Sequence, residues 1–322
     1  MIPPSCVPDR LLVVIDWSWW LNAAFHGGGG VDSMLPYLVG KLAGVLREPR
    51  PSHVAIALDS LGRTWRHDVL STYKAGREPK PPEFYQVSER ALELAELWGV
   101  PLLSAEGFEA DDVFAAVTDQ AREAGLTTAI VSSDKDVLQL VAEDVLTWDG
   151  VAQVRWPGDV FEHARVAPEQ IADWLAITGD DTDAIPGVPG IGKVRAAAIL
   201  ATYDTLEHAL AVVPDRAEID KIPALERAQA KARKSGDNEA LRAVQMDLRN
   251  FRRLRDLAGW VERLQAHAAQ VRQAHRLVQL RHDTPITLDL EAAQARGGDR
   301  AELAARFRAM GYYRLAEQAV IP

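Results

Sequence analysis

The chain is poor in cysteine. It has one, Cys6, among 322 residues, so no intrachain disulfide can form and a reducing, intracellular setting is expected. It has no uninterrupted run of about 18 apolar residues, so no membrane-spanning helix is expected. The N-terminus has no charged start leading into a long apolar stretch, so export is not expected. His and Cys nowhere cluster at zinc-ligand spacing. Positive charge is also in deficit: 36 Lys and Arg against 46 Asp and Glu give a net charge of −10. At face value that balance argues against a nucleic-acid partner. The inference fails if the acids are clustered and neutralised by bound cations, so the distribution of charge matters more than its sum.

What the chain does contain is apolar material, 48% of its residues, enough for a substantial core. Its length suggests two domains, or one large domain with an appendage. In the first half, short continuous apolar runs (LLVVI 11–15, VAIAL 54–58, VPLL 100–103, TAIVS 128–132) alternate with helical stretches at 34–47, 84–98 and 110–124. Runs of this length suit strands buried on both faces. Strand–helix alternation predicts a parallel sheet with crossover helices. VLTW (145–148) and AQVRW (152–156), split around Asp149-Gly150, predict a closing hairpin.

An acid follows every main strand. Asp16 ends the first run and Asp59 follows the second. EADD (Glu109, Asp111, Asp112) follows the third, and Asp134 and Asp136 follow the fourth. Parallel strands all point one way, so these carboxylates should converge on the sheet edge where open α/β folds place their sites. Acids at one helix start have an ordinary explanation, since they favour the helix dipole and cap free N–H groups. An acid after each strand does not. Burying such like charges unpaired costs several kcal/mol each, and hard cations with oxygen ligands relieve it, Mg²⁺ or Mn²⁺ foremost.

Further on, a plausible helix at 168–178 leads into GDDTDAIPGVPGIGK, with Asp180, Asp181 and Asp183. Gly187 to Lys193 lacks only the final hydroxyl of a phosphate-binding P-loop, position 194 being Val, and a helix and turn, not a strand, precede it. A tight hairpin between two helices fits better. Its glycines let backbone N–H groups approach a phosphate, and the second helix offers its N-terminus. Lys193 and Arg195 add charge suited to a sequence-blind grip on a nucleic-acid backbone. Basic residues also gather at 63–80, where Arg63, Arg66, Lys74, Arg77 and Lys80 are interleaved with Trp65 and Tyr73, a mixture suited to phosphate contact and base stacking. This segment follows Asp59 directly and should overhang the acidic edge.

Asp16, Asp59, YKAGR (73–77), EADD, SDKD (133–136), GDDTD (179–183) and PGVPGIG (186–192) occur in the order of the 5′ nuclease family. The chain resembles the 5′–3′ exonuclease and flap endonuclease domain of bacterial DNA polymerase I and its phage relatives over roughly residues 10 to 205, and again at RHDTPITLDL (281–290). The resemblance implies an α/β fold: a PIN-like, mostly parallel sheet with flanking helices and a helical arch, plus a helical domain with a helix–three-turn–helix element of the helix-hairpin-helix type. The implied layout is a catalytic core at 1–170, a helical DNA-binding domain at 171–280, and a segment at 281–322 that returns to the core. Asp16, Asp59, Glu109, Asp111 and Asp112 would form a first metal site, some through water, and Asp134, Asp136, Asp180 and Asp183 a second. Lys74 and Arg77 match residues that clamp the scissile phosphate, and Arg66 a further phosphate contact. Tyr73, Gly190, Gly192, Lys193 and Arg195 are expected to meet DNA. Carbonyls of the hairpin, those of Val188 and Ile191, would hold K⁺. The implied partners are DNA with 5′ ends, flaps or branches, and RNA primers. A monomer is expected, in the cytoplasm at the nucleoid, bacterial or phage-encoded. No polymerase domain follows before Pro322, so a free-standing nuclease or a fragment is expected.

The chain also departs from the family. Aligned on Phe25, Ala23 stands where the family commonly has Arg, and Ala184 where it often has Asn after the last acid. WSWW (17–20) should supply core tryptophans and one that stacks on DNA. GGGG (27–30) reads as a flexible loop. The segment from about 206 to 275 is longer than the resemblance predicts, helical in composition and locally basic; it should extend a duplex-binding surface or form a solvated hairpin. Phosphodiester hydrolysis with two divalent ions needs no Ser or Cys nucleophile. Two other readings stay open at this point: a catalytically weak binder of branched DNA, and a PIN-type ribonuclease.

Overall fold

The computed structural model describes residues 9–27, 30–151, 153–213, 219–235, 238–295 and 298–320. Cys6 and the middle of GGGG, Gly28 and Gly29, lie outside them. The chain divides into two compact units. One holds residues 1–163, 167–171 and 279–322, the other 164–166 and 172–278.

The first unit is built on six strands: β1 Leu11–Asp16, β2 His53–Ala57, β3 Leu102–Leu103, β4 Thr127–Val131, β5 Val145–Trp148 and β6 Val154–Arg155. Their order is β3-β2-β1-β4-β5-β6. All neighbours pair parallel except β5 and β6, which form the expected antiparallel hairpin. From β1 the chain builds outward to β2 and β3, then crosses back to β4 on the other side. The switch point therefore lies between β1 and β4, where open α/β sheets form their crevice.

Side chains of a strand alternate between faces, and both faces are apolar here. Leu11, Val13 and Ile15 pack with α1 (Trp17–His26), α2 (Gly30–Arg47), α4 (Pro82–Leu97), α13 (Arg300–Ala309) and α14 (Tyr313–Val320). Leu12 and Val14 pack against Val113, Phe114 and Val117 of α5 (Ala110–Glu123) and against Leu280 and Leu288. Fully buried aromatics such as Phe114 and Phe307 contribute on the order of 3–5 kcal/mol each when measured against Ala. Trp17 and Trp20 are buried and Trp19 packs half-buried on the same cluster, so WSWW is mainly core.

Residues 281–295 close this unit. Gln120 on α5 donates to the Ile286 carbonyl and accepts from the Leu288 amide. Beyond them, the Val54 amide donates to the Ala293 carbonyl. The expected arch is short. Between β2 and α4 the structure has only α3 (Trp65–Val69), followed by hydrogen-bonded turns such as Tyr73 N to Leu70 O and Arg77 N to Lys74 O. Gly76, Pro79, Pro81 and Pro82 prevent a longer helix, since Pro removes a donor and restricts the residue before it.

After α6 (Pro157–Ala164), which lies almost wholly in the first unit, the second unit is helical, with α7 (Ile171–Thr178), α8 (Lys193–Tyr203), α9 (Leu206–Ala211), α10 (Ile222–Ser235), α11 (Asn238–Ala266) and α12 (Ala268–Val278). The basic segment read from sequence forms α10 and α11, which pack on each other. Between α7 and α8 lies the glycine hairpin. Asp180 and Ile185 exchange both backbone hydrogen bonds at 2.8 Å. A Cβ on Gly187 would collide with the backbone of Thr178, which is why the two hairpin arms require glycine there. No helix among the described residues is long and apolar enough to cross a membrane.

Ala184, directly after Asp183, has φ 57°. This left-handed conformation costs a non-glycine residue about 1–2 kcal/mol, and Asn or Gly less. The departure from the family's Asn is thus a local strain. Ala184→Asn should raise the unfolding free energy of the second unit by about 1 kcal/mol, read as a higher urea midpoint. An unchanged midpoint would show that the hairpin tolerates Ala there without cost.

Candidate metal centre and nucleic-acid interface

Asp16 ends β1 and is also the N-cap of α1, accepting from the Trp19 amide at 2.9 Å. Its other oxygen accepts from Ser132 Oγ at 2.7 Å. Ser132, just beyond β4, in turn accepts from the Asp134 amide at 3.0 Å, and Asp134 accepts from the Asp136 amide at 3.0 Å. Asp59 accepts from Ser18 Oγ at 2.6 Å and from the Ala110 amide at 2.9 Å. It thereby takes an orphan N–H of the first turn of α5. One network thus spans the strand ends and the starts of α1 and α5. Ser18 and Ser132 were not legible as site residues, because a serine after a strand or in a helix has many ordinary uses.

EADD divides into two roles. Asp111 is half-buried and its pKa is raised well above the ordinary carboxylate range, by burial first and then by repulsion from Asp134, Asp16 and Asp136. Asp16 is pushed up to about 7, again by burial first. Hydrogen bonds from Trp19 and Ser132 oppose the shift, and repulsion from Asp59 and Asp134 adds to it. These acids do gather at the carboxyl edge of the sheet. Asp112 faces inward instead. It is 0% exposed and binds Arg66 bidentately, Nη1 to Oδ2 at 2.6 Å and Nη2 to Oδ1 at 3.0 Å. Trp65 Nε1 and the Glu109 and Arg281 amides also donate to it. Five donors on one carboxylate leave no oxygen for a metal ion.

The expectation for Arg66 changes for the same reason. Its side chain is 3% exposed and closes on Asp112, with Glu109 at 3.4 Å. Burial opposes its charge, but hydrogen bonding to Asp112 and the fields of Asp112 and Glu109 more than offset this, and its pKa rises. A guanidinium so placed cannot meet a phosphate and supports the site from beneath. Tyr73 is likewise turned inward, 4% exposed with its hydroxyl on Glu109 Oε2 at 3.0 Å, so it offers no ring to a base. Lys74 Nζ reaches the same oxygen at 2.9 Å. It sits at φ 56°, a conformation that costs a lysine about 1–2 kcal/mol, found where surrounding structure fixes a side chain. Arg77 is exposed.

On the second unit, Asp180 and Asp183 each bring a carboxylate oxygen within 4.8 Å of the other. Val188 and Ile191 bury their side chains in the hairpin. Gly190 has φ +79°, Gly192 is the N-cap of α8, and Lys193 and Arg195 are exposed. The Arg195 guanidinium lies over the Trp260 ring at 5.4 Å and donates to the Gly190 carbonyl.

The acids of the first unit form a donor set of carboxylate oxygens, hard ligands without sulfur or imidazole, whose mutual repulsion is marked by the raised pKa values of Asp16 and Asp111. That set fits hard divalent cations. The burial of Asp16 has a measurable consequence. Its native pKa of about 7 exceeds the ordinary aspartate value, so the native state keeps a proton that the unfolded chain has lost. The stability this group contributes is full below the unfolded pKa, about 4, and is lost as pH rises toward 7. Divalent ions bind the ionised form. The rise in Tm on adding Mn²⁺ should therefore be larger at about pH 8 than at about pH 5, by differential scanning fluorimetry. Equal rises at both would contradict a buried, repelling Asp16.

An open, mostly parallel sheet that gathers carboxylates at its switch point defines an α/β protein with a candidate site for hard divalent cations. Comparison with known proteins specifies it. The N-terminal resolvase-like domain of 5′–3′ exonucleases matches residues 13–171, and their C-terminal SAM fold matches residues 166–258. The chain belongs to the 5′–3′ exonuclease family. It is 34% identical over 280 residues to DNA polymerase I of Chloroflexus aurantiacus, covering 83% of this chain and 25% of that protein. It is 28% identical to the DNA polymerase I of Bacillus caldotenax over 325 residues, 97% of this chain and 33% of the relative. The chain thus spans a third or less of the length of these relatives. Among solved structures, the D15 protein of bacteriophage T5, co-crystallised with metal ions, superposes with a TM-score of 0.63 at 18% identity, covering 96% of this chain and 97% of that one. The catalytic core of Rad2, in complex with a DNA substrate, gives a TM-score of 0.59 at 13% identity, covering all of this chain and 94% of that one. At these identities the likeness carries the fold.

Proposed function

We propose that this chain is a structure-specific 5′ nuclease that hydrolyses DNA phosphodiesters at 5′ ends and flaps, with Mg²⁺ or Mn²⁺ held by Asp16, Asp59, Glu109, Asp111, Asp134 and Asp136 and, on the second unit, by Asp180 and Asp183. The observation that carries this reading is geometric: Asp16, Ser132, Asp134 and Asp136 form one hydrogen-bonded run at the carboxyl edge of β1 and β4, with Asp111 near enough to be raised by Asp134, Asp16 and Asp136. When bound, such cations supply an ionised water and neutralise charge on the leaving oxygen. The chain's own residues position the reactants. Ser132 and the Trp19 amide fix both oxygens of Asp16, and Ser18 and the Ala110 amide fix those of Asp59. Asp112 is assigned as a positioning residue, not a ligand. Lys74 and Arg77 would meet the scissile phosphate and offset charge that grows on it in the transition state. The amides of Gly190 and Gly192, with Lys193, would hold the nucleic-acid backbone.

Removal of RNA primers during replication and repair, action as a monomer, and a place of work at the nucleoid belong to the same proposal. A 5′-labelled flap duplex with Mg²⁺, with EDTA and with the Asp134→Ala variant tests it. Cleavage at the flap junction that needs both Mg²⁺ and Asp134 supports the reading. Binding without cleavage would make the chain a branched-DNA binder, and cleavage confined to single-stranded RNA would make it a ribonuclease.

A further inference from the structure

The long helix α11 reaches well past the glycine hairpin on which it rests. Its C-terminal turns belong to the body of the second unit. Gln265 Nε2 donates to the Ala209 and Val212 carbonyls at 3.0 and 2.7 Å, and the Arg195 guanidinium lies over the Trp260 ring. One turn on, Arg263 Nη1 donates to the Pro189 carbonyl at 3.3 Å. From this seat α11 runs back to Asn238 as one continuous helix of 29 residues, about 43 Å long at 1.5 Å per residue. Its outer part packs on α10, where Leu248 is buried and Arg252 pairs with Glu226 at 2.9 Å.

The charge on this outer part is lopsided. Residues 239–255 hold five arginines and two acids, in a chain whose acids outnumber its bases. Arg242, Arg249 and Arg253 are exposed and have no carboxylate partner among the described residues. They stand at i, i+7 and i+11, and Trp260 stands at i+18. At about 100° per residue these four positions return to within roughly 20° of one direction. The three arginines therefore face the way Trp260 faces, toward the side on which Arg195 lies. Leu248 points about 120° away from them, so packing on α10 leaves the row uncovered. The acid at the edge of the row, Asp256, is engaged by Arg255 at 3.4 Å. Arg249 and Arg253 are four apart, a like-charge spacing that disfavours a helix unless something neutralises it.

We infer that Arg242, Arg249 and Arg253 form a second grip on the backbone of duplex nucleic acid, outlying the grip at the glycine hairpin and facing the same way. The inference rests on the reading that the hairpin itself binds a nucleic-acid backbone. Arg253 lies about 10 Å and Arg242 about 27 Å along the helix from Trp260. At a rise of about 3.4 Å per base pair, the row meets phosphates roughly three to eight base pairs beyond those at the hairpin. A duplex fits it better than a single strand. Met246, and no aromatic ring, stands on the row between the arginines, so a single strand would find nothing on which to stack its bases. Guanidinium offers paired donors to phosphate oxygens and reads no sequence there.

The test uses the full chain with EDTA present, titrated onto fluorescent stem-loop DNAs with stems of about 6 and about 20 base pairs across a series of KCl concentrations. The variant carries Arg242→Gln, Arg249→Gln and Arg253→Gln together, exposed changes that keep helix propensity. On the long stem the variant's plot of log affinity against log salt should be shallower than the parent's by about 2.7, or about 0.9 for each lost phosphate contact, and near 0.15 M salt its affinity should be on the order of tenfold to a hundredfold lower. On the short stem the two proteins should agree within about twofold, because the row then lies more than a Debye length from most of the DNA. Replacing the same three arginines by lysine should restore most of the slope, since the charge remains. Unchanged slope and affinity on the long stem, with a native circular dichroism spectrum, would overturn the inference. So would an equal loss on both stems, which would make the charge diffuse and not an outlying grip. A parent that binds neither stem would sink the nucleic-acid reading of the hairpin and this inference with it, whereas a parent that binds both stems with equal affinity would sink this inference alone.

Discussion

Arg66→Ala is expected to destabilise the first unit by about 3–5 kcal/mol, the usual cost of removing one partner of a buried ion pair. The magnitude follows from what is left behind. Asp112 is fully buried, and after the change its carboxylate retains only neutral donors: the Trp65 indole and the Glu109 and Arg281 amides. The loss spreads through three chain segments, because Asp112 ties α3 to the start of α5 and to the returning segment at Arg281 and Thr284. Glu109 loses a neighbour as well. Arg66→Lys should recover little, since an ammonium cannot reproduce a bidentate grip. The experiment is urea unfolding followed by tryptophan fluorescence, with Asp112→Asn as the companion. That variant leaves buried Arg66 with Glu109, at 3.4 Å, as its remaining counter-ion, and should destabilise by a smaller amount. If Arg66→Ala keeps a midpoint within about 1 kcal/mol of the parent, the pair does not organise the site, and a surface role in phosphate contact returns for Arg66.

The carboxylate edge was legible in the sequence because two simple regularities coincide there. Continuous apolar runs mark strands buried on both faces, and parallel strands bring whatever follows them to one edge. Leu11 to Ile15 and Thr128 to Val131 behave so. Asp16, Asp111, Asp134 and Asp136 interact as that argument requires. What the sequence could not show is direction within a motif. In EADD, Asp111 and Asp112 are adjacent and chemically identical. Successive helical positions differ in direction by about 100°, so one faces the edge and the other faces Arg66 in the interior. Which does which depends on where β1 and the segment at Arg281 lie, and these are distant in sequence. The same holds for Tyr73, whose neighbours Lys74 and Arg77 suggest an exposed ring, while its hydroxyl is taken by Glu109. The short arch was partly legible in Gly76, Pro79, Pro81 and Pro82. The hairpin's glycines were readable as a turn, whereas Arg263 and Gln270, 74 to 84 positions later, were not readable as donors to its carbonyls.

Asp111→Asn should move stability and catalysis in opposite directions. In the metal-free protein Asp111 costs stability at neutral pH. Burial raises its pKa, and Asp134, Asp16 and Asp136 raise it further. An amide of the same shape removes that repulsion. Because the native pKa lies above the unfolded value, the penalty is absent in acid and grows as pH rises through the native pKa. The variant should therefore match the parent at about pH 4 and exceed it at about pH 8 by roughly 1 kcal/mol or more, a gain of about 2–4 °C in Tm for a unit of this size. Added Mn²⁺ should narrow or reverse the difference, because it stabilises the ionised parent and has lost a charged ligand in the variant. Flap cleavage at saturating Mg²⁺ should fall by about a thousandfold, close to 4 kcal/mol of transition-state stabilisation. The decisive measurement is the pair of signs. A residue that merely supports the fold would lose stability and activity together. A carboxylate placed for a metal ion strains the empty site and serves the filled one, so only that assignment predicts a protein that becomes harder to unfold as it stops cutting DNA.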